Sequence, residues 1–528
     1  MKKVVINLTF IFGLLIILSS CQKDEIFNEP ISNINQSQFQ DDVIRLGKKL
    51  ENPYTIENMQ RAFQNLKGNT QFNSRSHNIS IINVTHLYVR FLPRTDKEYA
   101  KLLADTTLML FDYPLDYEIE EGGTYYHDPE LPDTSYTWKY CAVAKDYDFP
   151  NLEYEIIEEL FLPESIDDSK SSRNTEEWSF MDELEIEALR ITGNLKDESV
   201  QNNRSVSARR KWKLKGKIQM FDDSPGVNKL VPLRGVKARA YSWFTTKEDL
   251  TDGKGEFFID HNFKGNVNYS IKWERNDFEI RDKRWGQAYY NGPRLKEKDW
   301  NLDIYSGMSR MYAIIHRAAH RYYYENRAGL RTPPKRNQML GRVTIGAFDW
   351  DDVNSNGDHG PLKRWTTFPE IRIFKPNRAC ENLYATTIHE LAHASHWELD
   401  RNNDYTFCDD IVIESWARGV QWMLSLLEYP SYSVSYGRLN YTGIVQDLID
   451  GFGTTTTGAW YDFNEKKWGT SNIVRTYSDQ VSGYTIRQLE DALIGQRTWT
   501  GWKNNIKNKY TNGTENNLDA AFNYWNTK

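Results

Sequence analysis

Thr386-Thr387-Ile388-His389-Glu390-Leu391-Ala392-His393-Ala394-Ser395-His396 is the stretch on which the reading of this chain turns. Leu383, Ile388, Leu391, Ala392 and Ala394 are apolar or helix-favouring, so the stretch predicts a helix. Residues four apart on a helix share one face, which brings His389 and His393 side by side. Two imidazoles at that spacing can bind one Zn²⁺, and a glutamate directly after the first can act on a metal-bound water as general base. The candidate ligands are therefore His389 and His393, and the candidate base is Glu390.

A catalytic zinc needs a third protein ligand and one open position. After a polar loop at 401–410 a second apolar helix begins at Ile411, and it carries Glu414 among apolar neighbours. A carboxylate in such company is costly unless it meets a cation or a metal. An i, i+4 pair with Arg418 would satisfy it; so would zinc. With Glu on the helix after H-E-x-x-H, residues 305–450 resemble the gluzincin clan of metallopeptidases. The resemblance implies zinc on His389, His393 and Glu414, with Glu390 as base. It also implies a Tyr or His beyond the third ligand as oxyanion donor, for which Tyr436 and Tyr441 are the choices. Many members carry Asp four residues after the third ligand to hold the first histidine. Here that position is Arg418, so Asp447 and Asp450 are the candidates for the task. The metzincin pattern does not fit, because His396 and Leu399 stand where it needs Gly and His.

The other polar clusters are weaker. His316 and His320 share the i, i+4 spacing, but Arg317 stands in place of a glutamate, which points to a structural pair. Asp352, Asn354, Asn356, Gly357 and Asp358 resemble the first half of a calcium loop. Position twelve of such a loop is Lys363, so a Ca²⁺ site competes with a plain polar turn. Cys380 and Cys408 flank the H-E-x-x-H helix; they form either a staple around it or two separately buried thiols.

Further out, a chain of 528 residues exceeds one ordinary core and predicts several folding units. Charged residues at 26% beside 39% hydrophobic ones indicate a globular chain. A net charge of −7 supplies no basic footprint for nucleic acid. Residues 1–20 read as a secretory signal: Lys2 and Lys3, an apolar run to Leu18, then Ser19-Ser20-Cys21. The cysteine after small residues resembles a bacterial lipoprotein signal, which implies lipidation of Cys21. The following Gln22-Lys23-Asp24-Glu25 resembles the export tag of Bacteroidetes-type surface lipoproteins, which implies an outer-membrane anchor and display at the cell surface.

The expected fold class is multidomain α+β. Residues 21–80 are a tether with short helices, 81–165 a small α/β unit, 166–210 a connector, and 211–284 a β-sandwich. Residues 285–528 form a mainly helical, zincin-like catalytic domain with a small sheet. The sandwich rests on short alternating strands with Gly and Asp turns, as in Pro232-Leu233-Arg234-Gly235-Val236 and Asp252-Gly253-Lys254-Gly255. That order resembles the regulatory-like sandwich attached to carboxypeptidases. The expected activity is hydrolysis of peptide bonds in extracellular proteins, peptides or glycoproteins. The rival expectation is a surface lipoprotein that binds glycan or host protein and keeps a relict or structural zinc site.

Overall fold

The computed structural model describes residues 43–67, 82–163, 180–195, 212–283, 286–335, 341–351, 355–366, 368–400, 405–434, 436, 440–450 and 479–526, with short strands between 455 and 474. Cys21 and the whole signal segment lie outside the described residues, as do Asp352 and Asn354. The fold is mixed α/β, with ten α-helices and several sheets among the described residues.

The chain enters through β1 (Arg45–Lys49), α1 (Ile56–Lys67), β2 (His86–Leu92) and α2 (Asp96–Ala104). A capping box opens α2: Thr95 Oγ1 accepts from the Glu98 N–H, and Glu98 reaches back to Thr95. β3 (Tyr117–Glu121), β4 (Lys139–Ala144) and β5 (Glu153–Leu160) follow, and β4, β2 and β5 form an antiparallel sheet in that order. The apolar stretch Leu108–Phe111 contributes only a single bridge, from Phe111 to Tyr140. Within the connector, α3 (Phe180–Ile191) is a core helix. It packs on α1, and Tyr54 donates to Glu185 at 2.6 Å.

Two four-stranded sheets come next. One contains β6 (Lys213–Asp222), β7 (Lys229–Pro232), β10 (Glu256–Asn262) and β15 (Trp300–Ile304). The other contains β8 (Lys237–Ser242), β9 (Thr245–Leu250), β11 (Val267–Lys272) and β14 (Tyr289–Leu295). Their inward residues Leu214, Ile218, Ala238, Val267, Ile271 and Trp300 are buried in one continuous core. The boundary expected at 284/285 does not follow the strand pairing. β12 (Phe278–Asp282), with β13 (Gly286–Gln287), leaves these sheets and joins the next one, whereas β14 and β15 return. Pairing is a non-local choice, and a run of alternating residues does not reveal its partner.

The remaining elements build the site. They are α4 (Gly307–Tyr324), β16 (Val343–Ala347), β17 (Gly357–His359), β18 (Ile371–Ile373), α5 (Cys380–Leu399), α6 (Asp410–Glu428) and α7 (Ile444–Ile449). β12, β16 and β18 run parallel and are buried, as expected for strands covered on both faces. β17 closes the sheet as an antiparallel edge strand. Short strands β19 (Thr455–Thr456), β20 (Trp460–Asp462), β21 (Lys467–Gly469) and β22 (Ile473–Val474) follow, then helices α8 (Ile486–Leu493), α9 (Trp499–Lys509) and α10 (Leu518–Asn526).

α5 is buried almost all round, between α4, α6 and strands β17 and β18. Its N-terminus has no cap from its own sequence. Instead Asp223 accepts from the Cys380 N–H at 2.8 Å and Ser224 from the Glu381 N–H at 2.9 Å. Arg310 of α4 ties the junction by donating to Asp223 and Cys380 Sγ. The end of β6 thus registers the metal-motif helix against the two-sheet unit. Among the described residues, no helix is long and apolar enough to cross a membrane.

Candidate metal centre

One helical turn of α5 sets His389 above His393, and α6 crosses beside it with Glu414 facing both. The three side chains are buried. Nε2 of His389 lies 3.0 Å from Nε2 of His393, and Glu414 Oε2 lies 3.2 Å and 3.4 Å from the two nitrogens. Donors bound tetrahedrally to zinc at about 2.0–2.1 Å stand about 3.3–3.5 Å apart. The triangle of His389, His393 and Glu414 is slightly tighter than that, and these atoms form a potential metal-binding group.

Burial pushes the His389 imidazole below its usual value. For Glu414 burial alone would push the carboxyl up, but the His393 and His389 imidazoles, when protonated in the absence of a metal, outweigh it and hold the group well below the usual carboxylate range. Neutral imidazole and ionised carboxylate are the forms that ligate a metal.

The tautomer of His389 is set by its other nitrogen. Nδ1 lies 3.0 Å from Gln421 Oε1, and that oxygen also receives Arg418 Nη1 at 3.1 Å. Since arginine only donates, the oxygen is an acceptor, and His389 Nδ1 carries the hydrogen. The Gln421 amide nitrogen donates to the Tyr432 hydroxyl at 2.7 Å. Nε2 of His389 is thereby left with its lone pair toward His393 and Glu414. On the other ligand, Tyr405 Oη lies 3.3 Å from His393 Nδ1.

Asp447 and Asp450, expected to hold His389, do not do so. Asp447 accepts from the Trp525 indole at 2.7 Å, and Asp450 accepts from Gln446. Gln421 takes the role because it lies two helical turns after Glu414, on the same face of α6. That spacing is the signal in the sequence that could have found it.

Glu390 is buried at 2% exposure, against the edge strand. A Cβ on Gly357 would lie 2.9 Å from Glu390 Cγ and Oε1, so the glycine makes room for this carboxylate. Two residues along, the His359 ring lies parallel to His393 with centroids 6.4 Å apart. Its Nε2 meets buried Glu370 at 3.2 Å, and Arg364 also donates to Glu370. Gly357, His359 and Tyr405 were not legible as neighbours of the motif, because they arrive by sheet pairing and by the loop after α5.

The two tyrosines separate. Tyr441 lies beside His389, with ring centroids 6.1 Å apart. Tyr436 is buried against Trp525 and its hydroxyl donates to Gln446, so it is not brought to the triad. Of the calcium-loop residues, Asp358 lies on β17 and is engaged by Arg372 and Lys363, two cations where a Ca²⁺ ligand would need an uncommitted charge. His316 and His320 are buried structural groups, bonded to the Arg234 carbonyl and to Glu325. Cys380 and Cys408 are separate buried thiols, not a staple. Protein-family models, characterised proteins and solved structures give no match to this chain.

Proposed function

We propose that this chain is a zinc-dependent peptidase of gluzincin type, with zinc on His389, His393 and Glu414 and with Glu390 as general base. The observation that carries the reading is Glu390: a buried carboxylate, next in sequence to a candidate ligand, for which a neighbouring strand gives up a side chain. A binding protein that kept zinc only for structure would need no such group. Zinc held there would supply Lewis acidity and a nucleophilic water at neutral pH. Glu390 takes a proton from the attacking water and returns it to the leaving nitrogen. Tyr441, whose ring lies beside His389, is the proposed donor to the developing oxyanion. β17 pairs only with β18 among the described strands, and as the edge strand beside Glu390 it is where an extended substrate backbone would pair. The same proposal holds the protein at the outer membrane through a lipid on Cys21, facing extracellular proteins, peptides or glycoproteins.

Digestion of a peptide library with and without chelator tests the activity. On any substrate so found, Glu390→Gln should keep zinc and lose about 10²–10⁴-fold in rate, because an amide cannot take the proton. Glu414→Gln should lose zinc affinity as well as rate. Wild-type rates in zinc-loaded Glu390→Gln would remove Glu390 from the mechanism, and inactivity of wild type on every peptide would favour a binding lipoprotein.

A further inference from the structure

Arg418 lies four residues after Glu414 on α6 and is buried at 3% exposure. A buried cation next to a metal site is costly and needs compensating contacts. Two of its contacts lead to the site. Its Nη1 donates to Gln421 Oε1 at 3.1 Å, the oxygen that receives His389 Nδ1–H. Its guanidinium carbon also lies 4.7 Å from the centre of the Tyr441 ring, and that ring lies beside His389. A planar guanidinium can do both at once, bonding in its plane and stacking through its face. Glu414, Arg418 and Gln421 follow one another at four and three residues on a single face of α6, so one helix carries ligand, brace and the group that orients the other ligand.

We propose that Arg418 is a positioning residue of the metal centre, holding the Gln421 oxygen toward His389 and the Tyr441 ring beside it. This rests on the zinc reading above. Without Arg418 the Gln421 amide loses the contact that distinguishes its oxygen from its nitrogen, and a flipped amide would confront His389 Nδ1–H with a second donor. His389 would then favour the tautomer with hydrogen on Nε2, which cannot ligate. The Tyr441 ring would lose its cationic support at the same time. The arginine therefore couples the ligand and the phenol.

The test is a double-variant cycle on zinc affinity, measured by competition with a chromophoric chelator on the full chain. Arg418→Met and Gln421→Leu should each weaken zinc by about 10–100-fold, the usual cost of losing an outer-shell partner. The double variant should be no more than about threefold weaker than the worse single one, because both break one relay. The visible spectrum of the cobalt-substituted protein should shift alike in both singles. At saturating zinc, Tyr441→Phe should cost rate in wild type and little further in Arg418→Met. Fold-losses in affinity that multiply, or wild-type affinity in folded Arg418→Met, would overturn the relay. A full Tyr441→Phe effect in the Arg418→Met background would overturn the coupling to the phenol. If Arg418→Met does not fold, Arg418→Lys serves in the same cycle, since it keeps the charge but not the planar fork. Failure of the wild type to bind zinc would overturn the metal centre itself, and this inference with it.

Discussion

Replacing Gly357 by alanine adds one carbon against the proposed base. The new Cβ would lie 2.9 Å from Glu390 Cγ, Glu390 Oε1 and Thr386 Cγ2. Ordinary carbon contacts fall at about 3.5–4.0 Å, so each contact must open by roughly 0.6–1 Å. Thr386 cannot easily yield: its hydroxyl donates to the Asn382 carbonyl at 2.9 Å and accepts from Arg378 at 3.0 Å. The Glu390 side chain is therefore the part that moves. A catalytic group misplaced by about 1 Å can cost on the order of 10²-fold in rate, or about 2.7 kcal/mol of barrier. The zinc ligands are not among the atoms crowded, so metal content should be unchanged. Overpacking should lower stability by about 1–3 kcal/mol, visible as a modest drop in melting temperature. The assay is kcat on a library-derived peptide, with zinc content by elemental analysis and a thermal melt on the same preparation. Wild-type kcat in folded, zinc-loaded Gly357→Ala would show either that Glu390 is not the base or that its position has slack the geometry denies.

Burial pushes the Asp282 carboxyl up to about 6, and one of its oxygens has no hydrogen-bond partner among the described residues. Its folded value thus exceeds the unfolded one near 4, and the native state binds the extra proton, so this group's contribution to stability falls as pH rises from about 4 to about 6. Asp282→Asn keeps an acceptor for Thr124 and Tyr312, so it should remove that fall and be at least as stable as wild type at pH 7, as denaturant melts at pH 4.5 and pH 7 would show. Equal pH dependence in both proteins would refute the assignment. Cys141, Cys380 and Cys408 should titrate as free thiols in denaturant without reductant and resist reagent in the native state, since burial pushes Cys141 and Cys408 up to about 12; a disulfide in non-reducing mass analysis would contradict this. Labelled palmitate should enter wild type and not Cys21→Ala, and persistent labelling of the variant would put the anchor elsewhere.

What the sequence determined by itself is whatever one helix or one turn decides. His389 and His393 face one point because four residues make a turn, and no tertiary contact is needed to see it. The Thr95 capping box is local in the same sense, since Glu98 lies three residues after Thr95. Glu414 was legible as an acid stranded among apolar residues, and Gln421 follows from it by helical spacing once Glu414 is assigned. The tertiary structure alone decided the rest. The crossing of α6 over α5 chose Gln421 over Asp447 and Asp450 as the partner of His389, and sent Tyr441 rather than Tyr436 to that ring. Strand pairing drew β12 out of its neighbours and brought Gly357 and His359 against the motif helix. The helix caps came from Asp223 and Ser224, more than a hundred and fifty residues upstream. Such contacts join residues far apart in the chain, and their free energy is realised only when both surfaces have formed, so no local periodicity announces them.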